Sequence, residues 1–255
     1  MMKQETIAVI KQHLFYETPN DEWIASLRLD ERKGVQKILT QYDKQIEQHA
    51  QLEEAFKASL QFEEQWQAEG CEFIAGVDEV GRGPLAGPVT AAAAILPKNC
   101  SFPGLTDSKK LKEERRDYFH ALLTEQSLAY KVVHIAADQI DEINIYEASK
   151  KAMQQAVEEL GVQVDALLVD AMSLPLPLRQ LSLTKGDERS ASIAAASVLA
   201  KVERDRYMKQ LAENYPQYGF EKNMGYGTKI HLDALERFGP TPEHRRSFSP
   251  VQQCL

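Results

Sequence analysis

One thirteen-residue stretch, G-V-D-E-V-G-R-G-P-L-A-G-P from Gly76 to Pro88, constrains this chain more than any other. It follows the apolar run Phe73-Ile74-Ala75, which predicts a strand over Glu72–Val77. Asp78 and Glu79 then stand at or just past the strand end, and Gly81, Gly83 and Gly87 make a turn. Glycine permits positive φ and lets backbone polar groups approach a ligand closely. Between two of these glycines Arg82 sets a planar guanidinium whose fork matches phosphate. Adjacent carboxylates, open backbone and a fixed cation suit a metal-bound phosphodiester with a sugar edge to be read. The plainer alternative is a Gly/Pro-rich hairpin turn with two solvated acids. Acids further along the chain weigh against it.

Beyond Glu72 the pattern alternates strand and helix. Val89–Leu96, bounded by Pro88 and Pro97, predicts a second strand, and the short connection favours an antiparallel pair. Leu111, Arg115, Tyr118, Phe119 and Leu122 recur at helical spacing. Tyr130–Ile135 predicts a third strand, Asn144–Leu160 a helix stopped by Gly161, Ala166–Asp170 a fourth strand and Leu181–Thr184 a fifth. Asp187 is placed at the start of a helix rich in small residues, Ser190 to Ala200, which ends before Pro216. Thr228 is placed as the cap of a last helix closed by Gly239 and Pro240. The expectation is an α/β fold: a mixed sheet covered by helices.

Residues 1–70 read as a helical extension. Asn20 or Asp21 caps a short helix, and Asp30 a long one with Val35, Ile38, Leu39, Tyr42, Ile46, Leu52, Phe56 and Leu60 on one stripe, which Trp66 extends. The change of period near Gly70 sets the expected domain boundary, 1–70 against 71–255. This segment holds 8 Lys/Arg against 13 Asp/Glu, whereas residues 179–246 hold 12 against 9. The overall charge is −8, which argues against a globally basic nucleic-acid binder but leaves room for a local basic groove. Cys71, Cys100 and Cys254 are too few and too scattered for a disulfide framework or a zinc site, which fits a reduced, cytoplasmic compartment. No segment is apolar over the length a membrane span requires.

Asp170 ends an otherwise apolar strand, where an acid is costly unless paired, hydrogen-bonded or metal-bound. On its own it reads equally as a turn residue, and Asp187 in T-K-G-D-E-R-S as a helix cap. Taken together, Asp78, Glu79, Asp170 and Asp187 fall at strand ends or a helix start. One rim of the sheet can hold all four. An oxygen-only set of this kind suits Mg²⁺ or Mn²⁺.

D-S-K-K-L at Asp107–Leu111, L-V-D at Leu168–Asp170, K-G-D-E-R-S-A-S-I-A-A-A-S-V-L-A-K-V at Lys185–Val202 and G-Y-G-T at Gly225–Thr228 follow the first motif in order. In this order the set resembles the type 2 ribonucleases H, most closely the bacterial ribonuclease HII family, over most of residues 72–250. The resemblance implies the ribonuclease H fold, a five-stranded mixed sheet flanked by helices. It implies that Asp78, Glu79, Asp170 and Asp187 are the catalytic, metal-binding carboxylates. It assigns the ribose 2′-OH to Gly81-Arg82-Gly83, sets Tyr226 beside the sugar, and puts Ser108 and Lys109 near substrate phosphate. The implied substrates are RNA–DNA hybrids and duplex DNA with embedded ribonucleotides, cut with Mn²⁺ or Mg²⁺ to leave a 5′-phosphate and a 3′-hydroxyl. Asp187 and the Gly-Arg-Gly turn favour this family over the related ribonuclease HIII.

The expected state is a monomer without membrane attachment or an evident protein partner. Lys201, Arg204 and Arg206 are read as a solvated helix face, and His244-Arg245-Arg246 as a solvated tail or a contact to nucleic-acid backbone. Because all four acids lie beyond Gly70, a chain starting there is expected to keep the chemistry. Two rivals remain: a Mg²⁺-dependent phosphatase with a compact pocket, and a nucleic-acid-binding scaffold whose activity resides in the helical arm.

Overall fold

The computed structural model describes residues 5–255. Four helices come first: α1 (Ile7–Tyr16), α2 (Asp21–Arg28), α3 (Lys33–Ser59) and α4 (Gln61–Ala68). Asn20 caps α2 by accepting the Trp23 amide at 2.8 Å. Ile10, Leu14, Leu27, Val35, Ile38 and Leu39 form their own apolar cluster. The chain divides into two compact units after Ala55, inside α3 and not at Gly70. Residues 56–69 thus group with the sheet. Phe56 packs in one cluster with Phe102 and Phe119, and Trp66 in another with Ile74, Ala166, Leu168, Leu183 and Ile193. The apolar stripe of the sequence therefore serves two cores, which periodicity alone does not separate.

The second unit continues with β1 (Ile74–Val80), β2 (Val89–Ile95), α5 (Glu113–Gln126), β3 (Ala129–Ile135), α6 (Ala137–Glu158), β4 (Ala166–Asp170) and β5 (Arg179–Leu183). It ends with α7 (Ala191–Asn214), α8 (Phe220–Asn223), α9 (Lys229–Phe238) and α10 (Ser249–Gln252). The sheet order is β3-β2-β1-β4-β5, with β1 antiparallel to β2 and parallel to β4. This is the five-stranded mixed sheet flanked by helices that the sequence predicted.

Three elements differ from the sequence reading. β1 extends through Val80, because Asp78 and Glu79 pair with Ala92 and Ala91 of β2; cross-strand pairing overrides the poor strand preference of acids. The helix predicted from Asn144 is the second half of a longer one. Asn144 has φ 67° there, and its Oδ1 accepts the amides of Tyr146 and Glu147, so it caps the segment it begins. Asp187 lies in a 3₁₀ turn, Gly186–Glu188, and the cap of α7 is Ser190, whose Oγ accepts the Ile193 amide.

Side chains alternate between two apolar layers. Ala75, Val77, Leu167 and Val169 pack with α6; Ala92 and Ala94 pack with α7. The first ten residues of α7 are all buried. Their small side chains let the helix lie flush on the sheet, and Gly76 is where it comes closest. A Cβ at Gly76 would overlap the Ser192 backbone. Gly76→Ala should therefore cost more than about 3 kcal/mol, the upper end for overpacking. A urea midpoint close to wild type would show that α7 can shift away at little cost.

Candidate active site

The acidic site is built by register. Val77 of β1 pairs with Val169 of β4, so Asp78 and Asp170, the next residues on neighbouring parallel strands, come side by side. Glu79 points to the other face of β1, yet one oxygen from each of Asp78, Glu79 and Asp170 lies within 4.8 Å of the others. Asp78 Oδ1 accepts the Glu79 amide at 2.7 Å, and Asp170 Oδ1 accepts the Gly186 amide at 2.7 Å. The second bond ties the turn carrying Asp187 to the end of β4. Ala171 and Lys185, on either side of this connection, hold left-handed φ values of 48° and 53°. For residues with a Cβ this stores about 1–2 kcal/mol each.

Electrostatics sets the condition of the site. Burial, then the Glu79 charge, pushes the Asp78 carboxyl well above the usual range, with Asp170 and Asp187 adding to it. Burial raises Glu79 too, and Asp170 adds, against the opposing charge of Arg82. Asp187 is pushed up to about 6, by burial first and then by Asp107 and Asp170. Asp107 is a buried acid beside this group. Burial works against the charge of Lys109, but Asp107, Asp78, Asp187 and Asp170 together raise its pKa, so this ammonium, like Arg82, faces the acids. A divalent cation fits the set. Every donor is oxygen, and Glu79 Oε2 is buried without a hydrogen-bond partner among the described residues. A dication would also reverse the repulsion that raises these pKa values.

The glycine turn is held from beneath by two arginines, Arg204, read from the sequence as part of a solvated helix face, and Arg245, read as part of a solvated tail or a contact to nucleic-acid backbone. Arg204 is buried and donates to the carbonyls of Pro88 (2.9 Å), Met224 (3.0 Å) and Ala86 (3.3 Å). Arg245 is buried and donates to Gly81 (2.6 Å), Arg82 (2.9 Å) and Gly87 (3.0 Å). Burial lowers Arg204 to about 10; burial and then the Arg204 charge lower Arg245 to about 9, so both stay protonated at neutral pH. Neither is a solvated side chain. A signal existed for Arg204, which lies four residues beyond buried Ala200 and four before buried Met208, on the inward stripe of α7. Arg245 gave no local signal, since its partners are some 160 residues away in sequence. Arg206 is exposed and pairs with Glu203, whereas Lys201 is largely covered and pairs with Asp205.

Gly81 (φ 91°) is required twice, by its backbone and by Arg204, whose Cδ would lie 2.7 Å from an added Cβ. Gly83 is different. An added Cβ there meets only Tyr226 Cε1, at 3.5 Å, so the ring of Tyr226 faces this glycine. The Leu85 amide donates to Gly225 O at 2.8 Å and joins the Tyr226 loop to the glycine turn.

The Tyr226 carbonyl accepts from His231 Nδ1 at 2.9 Å, and His231 Nε2 meets His244 Nε2 at 2.9 Å. His244 Nδ1 in turn accepts the Thr241 amide at 3.0 Å. These partners fix both tautomers: His231 carries its proton on Nδ1 and His244 on Nε2. Burial lowers both, His244 to about 4, which keeps the chain neutral. His244 and Arg245 are thus interior groups; of the tripeptide only Arg246 is exposed. Ser108 also departs from expectation. It is buried, and its hydroxyl meets Ser197 Oγ at 3.0 Å, directed inward.

A five-stranded mixed sheet with β1 between an antiparallel and a parallel neighbour, carrying clustered carboxylates at the β1 and β4 ends, defines a ribonuclease H-like nuclease. The family model described as Ribonuclease HII matches residues 75–251, and that described as Ribonuclease HII N-terminal domain matches residues 6–67. Ribonuclease HII of Halalkalibacterium halodurans is 55% identical over 92% of this chain and 89% of its own length. Its counterpart in Bacillus licheniformis is 50% identical over 98% and 99%. The crystal structure of ribonuclease H2 from Pyrococcus horikoshii superposes with a TM-score of 0.62 at 25% identity, covering 72% of this chain and 97% of that one. The chain belongs to the ribonuclease HII family and is a ribonuclease H.

Two outcomes follow from this geometry. Asp78→Asn removes a buried like charge, so the metal-free variant should melt above the wild type. At this chain length each kcal/mol shows as about 2–4 °C. Mn²⁺ should stabilise the wild type and leave the variant nearly unmoved in the same thermal scan. Gly81→Ala should lower both Tm and turnover, whereas Gly83→Ala should keep Tm within a few degrees and still lose most turnover. Equal losses of Tm at the two positions would mark both as purely structural.

Proposed function

We propose that this ribonuclease H hydrolyses the RNA strand of RNA–DNA hybrids in the cytoplasm. We propose too that it cuts duplex DNA at embedded ribonucleotides, leaving 5′-phosphate and 3′-hydroxyl ends. The observation that carries this reading is the convergence of Asp78, Glu79 and Asp170 on one point, a few residues from an open glycine turn. Asp78, Glu79 and Asp170, with Asp187 next to them, would hold Mg²⁺ or Mn²⁺. Such ions activate the attacking water and stabilise the leaving 3′-oxygen.

The rest of the work belongs to the chain's own groups. Gly83 offers backbone with no side chain to keep a sugar away, and Arg82 is half exposed beside it, facing Glu79 at 3.4 Å. With the carbonyls of Gly81 and Arg82 taken by Arg245, the turn cannot collapse onto itself when a strand enters. The 2′-OH separates RNA from DNA at such a place, because it is both donor and acceptor. Lys109 supplies a positive charge toward the scissile phosphate; Ser108 holds the loop through Ser197 rather than touching substrate. Tyr226 is half exposed and lies against the nucleotide on the 3′ side of the ribose, where a deoxyribose fits best because it has no 2′-OH to crowd the ring.

The experiment uses two labelled substrates, a long hybrid and a DNA duplex with one ribonucleotide. Each is incubated with Mn²⁺ or Mg²⁺, and with chelator. The wild type should cut both and lose all activity with chelator. Asp78→Asn, Glu79→Gln and Asp170→Asn should each lose nearly all turnover; near-normal turnover in any of them removes that residue from the site. Tyr226→Ala should lower kcat/KM on the single-ribonucleotide substrate more than on the hybrid, and Tyr226→Phe less on both. Equal losses on the two substrates would reject a junction-reading role for the ring.

A further inference from the structure

Glu63 of α4 is a buried acid that the catalytic reading leaves without a task. It is 4% exposed, and its Oε1 accepts three hydrogen bonds from the first turn of α7: Ser190 Oγ (2.7 Å), Ser192 Oγ (2.6 Å) and the Ser192 amide (3.0 Å). Its Oε2 has no hydrogen-bond partner among the described residues. The first turn of α7 carries no acid, and the residue three after its cap, where a capping box has Glu or Gln, is Ile193. Glu63 therefore brings to this helix end, from another helix, the negative charge its own sequence lacks.

Ser190 links that carboxylate to the acidic site. Its hydroxyl donates to Glu63, and its amide donates to Gly186 O at 2.8 Å. The Gly186 amide donates to Asp170 Oδ1, and Asp187 is the next residue. The turn between β5 and α7 contains left-handed Lys185, so it has little intrinsic preference for this shape. It is fixed at one end by Asp170 and at the other by Glu63 through Ser190. The α4 platform is itself secured: Trp66 is buried among Ile74, Ala166, Leu168, Leu183 and Ile193, and Arg179 lies over its ring at 4.5 Å while pairing with Glu69 at 2.6 Å.

We propose that Glu63 is a positioning residue that holds Asp187 at the metal site, which makes α4 part of the catalytic unit although it precedes every catalytic motif. The inference rests on the reading of Asp187 as a metal ligand. A chain starting at Gly70 would lack both Glu63 and Trp66, so it should lose the chemistry that the sequence alone assigned to it.

The test uses the full chain with Glu63→Ala and Glu63→Gln, the second keeping an acceptor oxygen. Hydrogen exchange of the metal-free proteins is read at residues 186–193 and in β2 and β3, and Mn²⁺ binding is read by calorimetry. Glu63→Ala should raise exchange at residues 186–193 while β2 and β3 keep their protection, and should weaken Mn²⁺ binding by about tenfold, as loss of a group supporting a metal ligand does. Glu63→Gln should fall between. In an Asp187→Asn background, Glu63→Ala should weaken Mn²⁺ binding no further. Unchanged exchange at residues 186–193, or an equal loss of Mn²⁺ affinity with and without Asp187, would overturn the proposal. If Glu63→Ala does not fold, Glu63→Gln decides by the same criteria. A wild type that binds no Mn²⁺ and cuts no hybrid would count against the proposed function, while the exchange data would still decide whether Glu63 fixes the turn.

Discussion

The acidic rim depends on the backbone contact between β1 and the first turn of α7 at Gly76. With no Cβ in the way, the Ser192 backbone rests directly on the strand, two residues before Asp78. That contact sets the height of α7 over the sheet and, through Ser190 and Gly186, the place of Asp187 relative to Asp170. The run of alanines and serines after Ser190 follows from the same requirement, since larger side chains would lift the helix away.

Around that contact the protein concentrates groups that are costly to bury. Asp78 is pushed toward protonation by burial and by the Glu79 charge, Glu79 by burial and by Asp170, and Arg204 and Arg245 lie in the interior with carbonyls as partners. Buried charge of this kind is poor value for stability alone. In this fold it makes a rim that gains from a dication, and a turn in which the carbonyls of Gly81, Arg82, Ala86, Gly87 and Pro88 are held from within. The His231–His244 pair extends the same support to the Tyr226 loop with neutral groups, so three loops distant in sequence are fixed without covalent links.

Much of this was legible in the residues. The strand and helix periods gave the five strands to within a few residues, and the motif order gave the family. Asp78, Glu79 and Asp170 were marked by acids adjoining apolar strands. Misreadings came where partners are remote. Arg245 and His244 were read as a solvated tail or a contact to nucleic-acid backbone, and the acceptors of Arg245 lie some 160 residues away; the compact unit that holds the sheet takes in Phe56 and Trp66, ahead of the expected boundary at Gly70. The resemblance put Ser108 near substrate phosphate; its hydroxyl meets Ser197 Oγ. Asp187 was read as opening the long helix, which Ser190 caps instead.

The sequence by itself determined the alternation of elements, the identity of the acids and the glycine turn, because these depend on local period, on side-chain chemistry and on the backbone freedom of glycine. Only the tertiary structure decided that β4 lies beside β1, on the side away from β2, in the register that brings Asp170 next to Asp78. It alone decided that the carboxylate at the start of α7 comes from α4. Strand adjacency and burial are set by how whole faces pack, and a buried charge takes its meaning from the partner that folding brings to it.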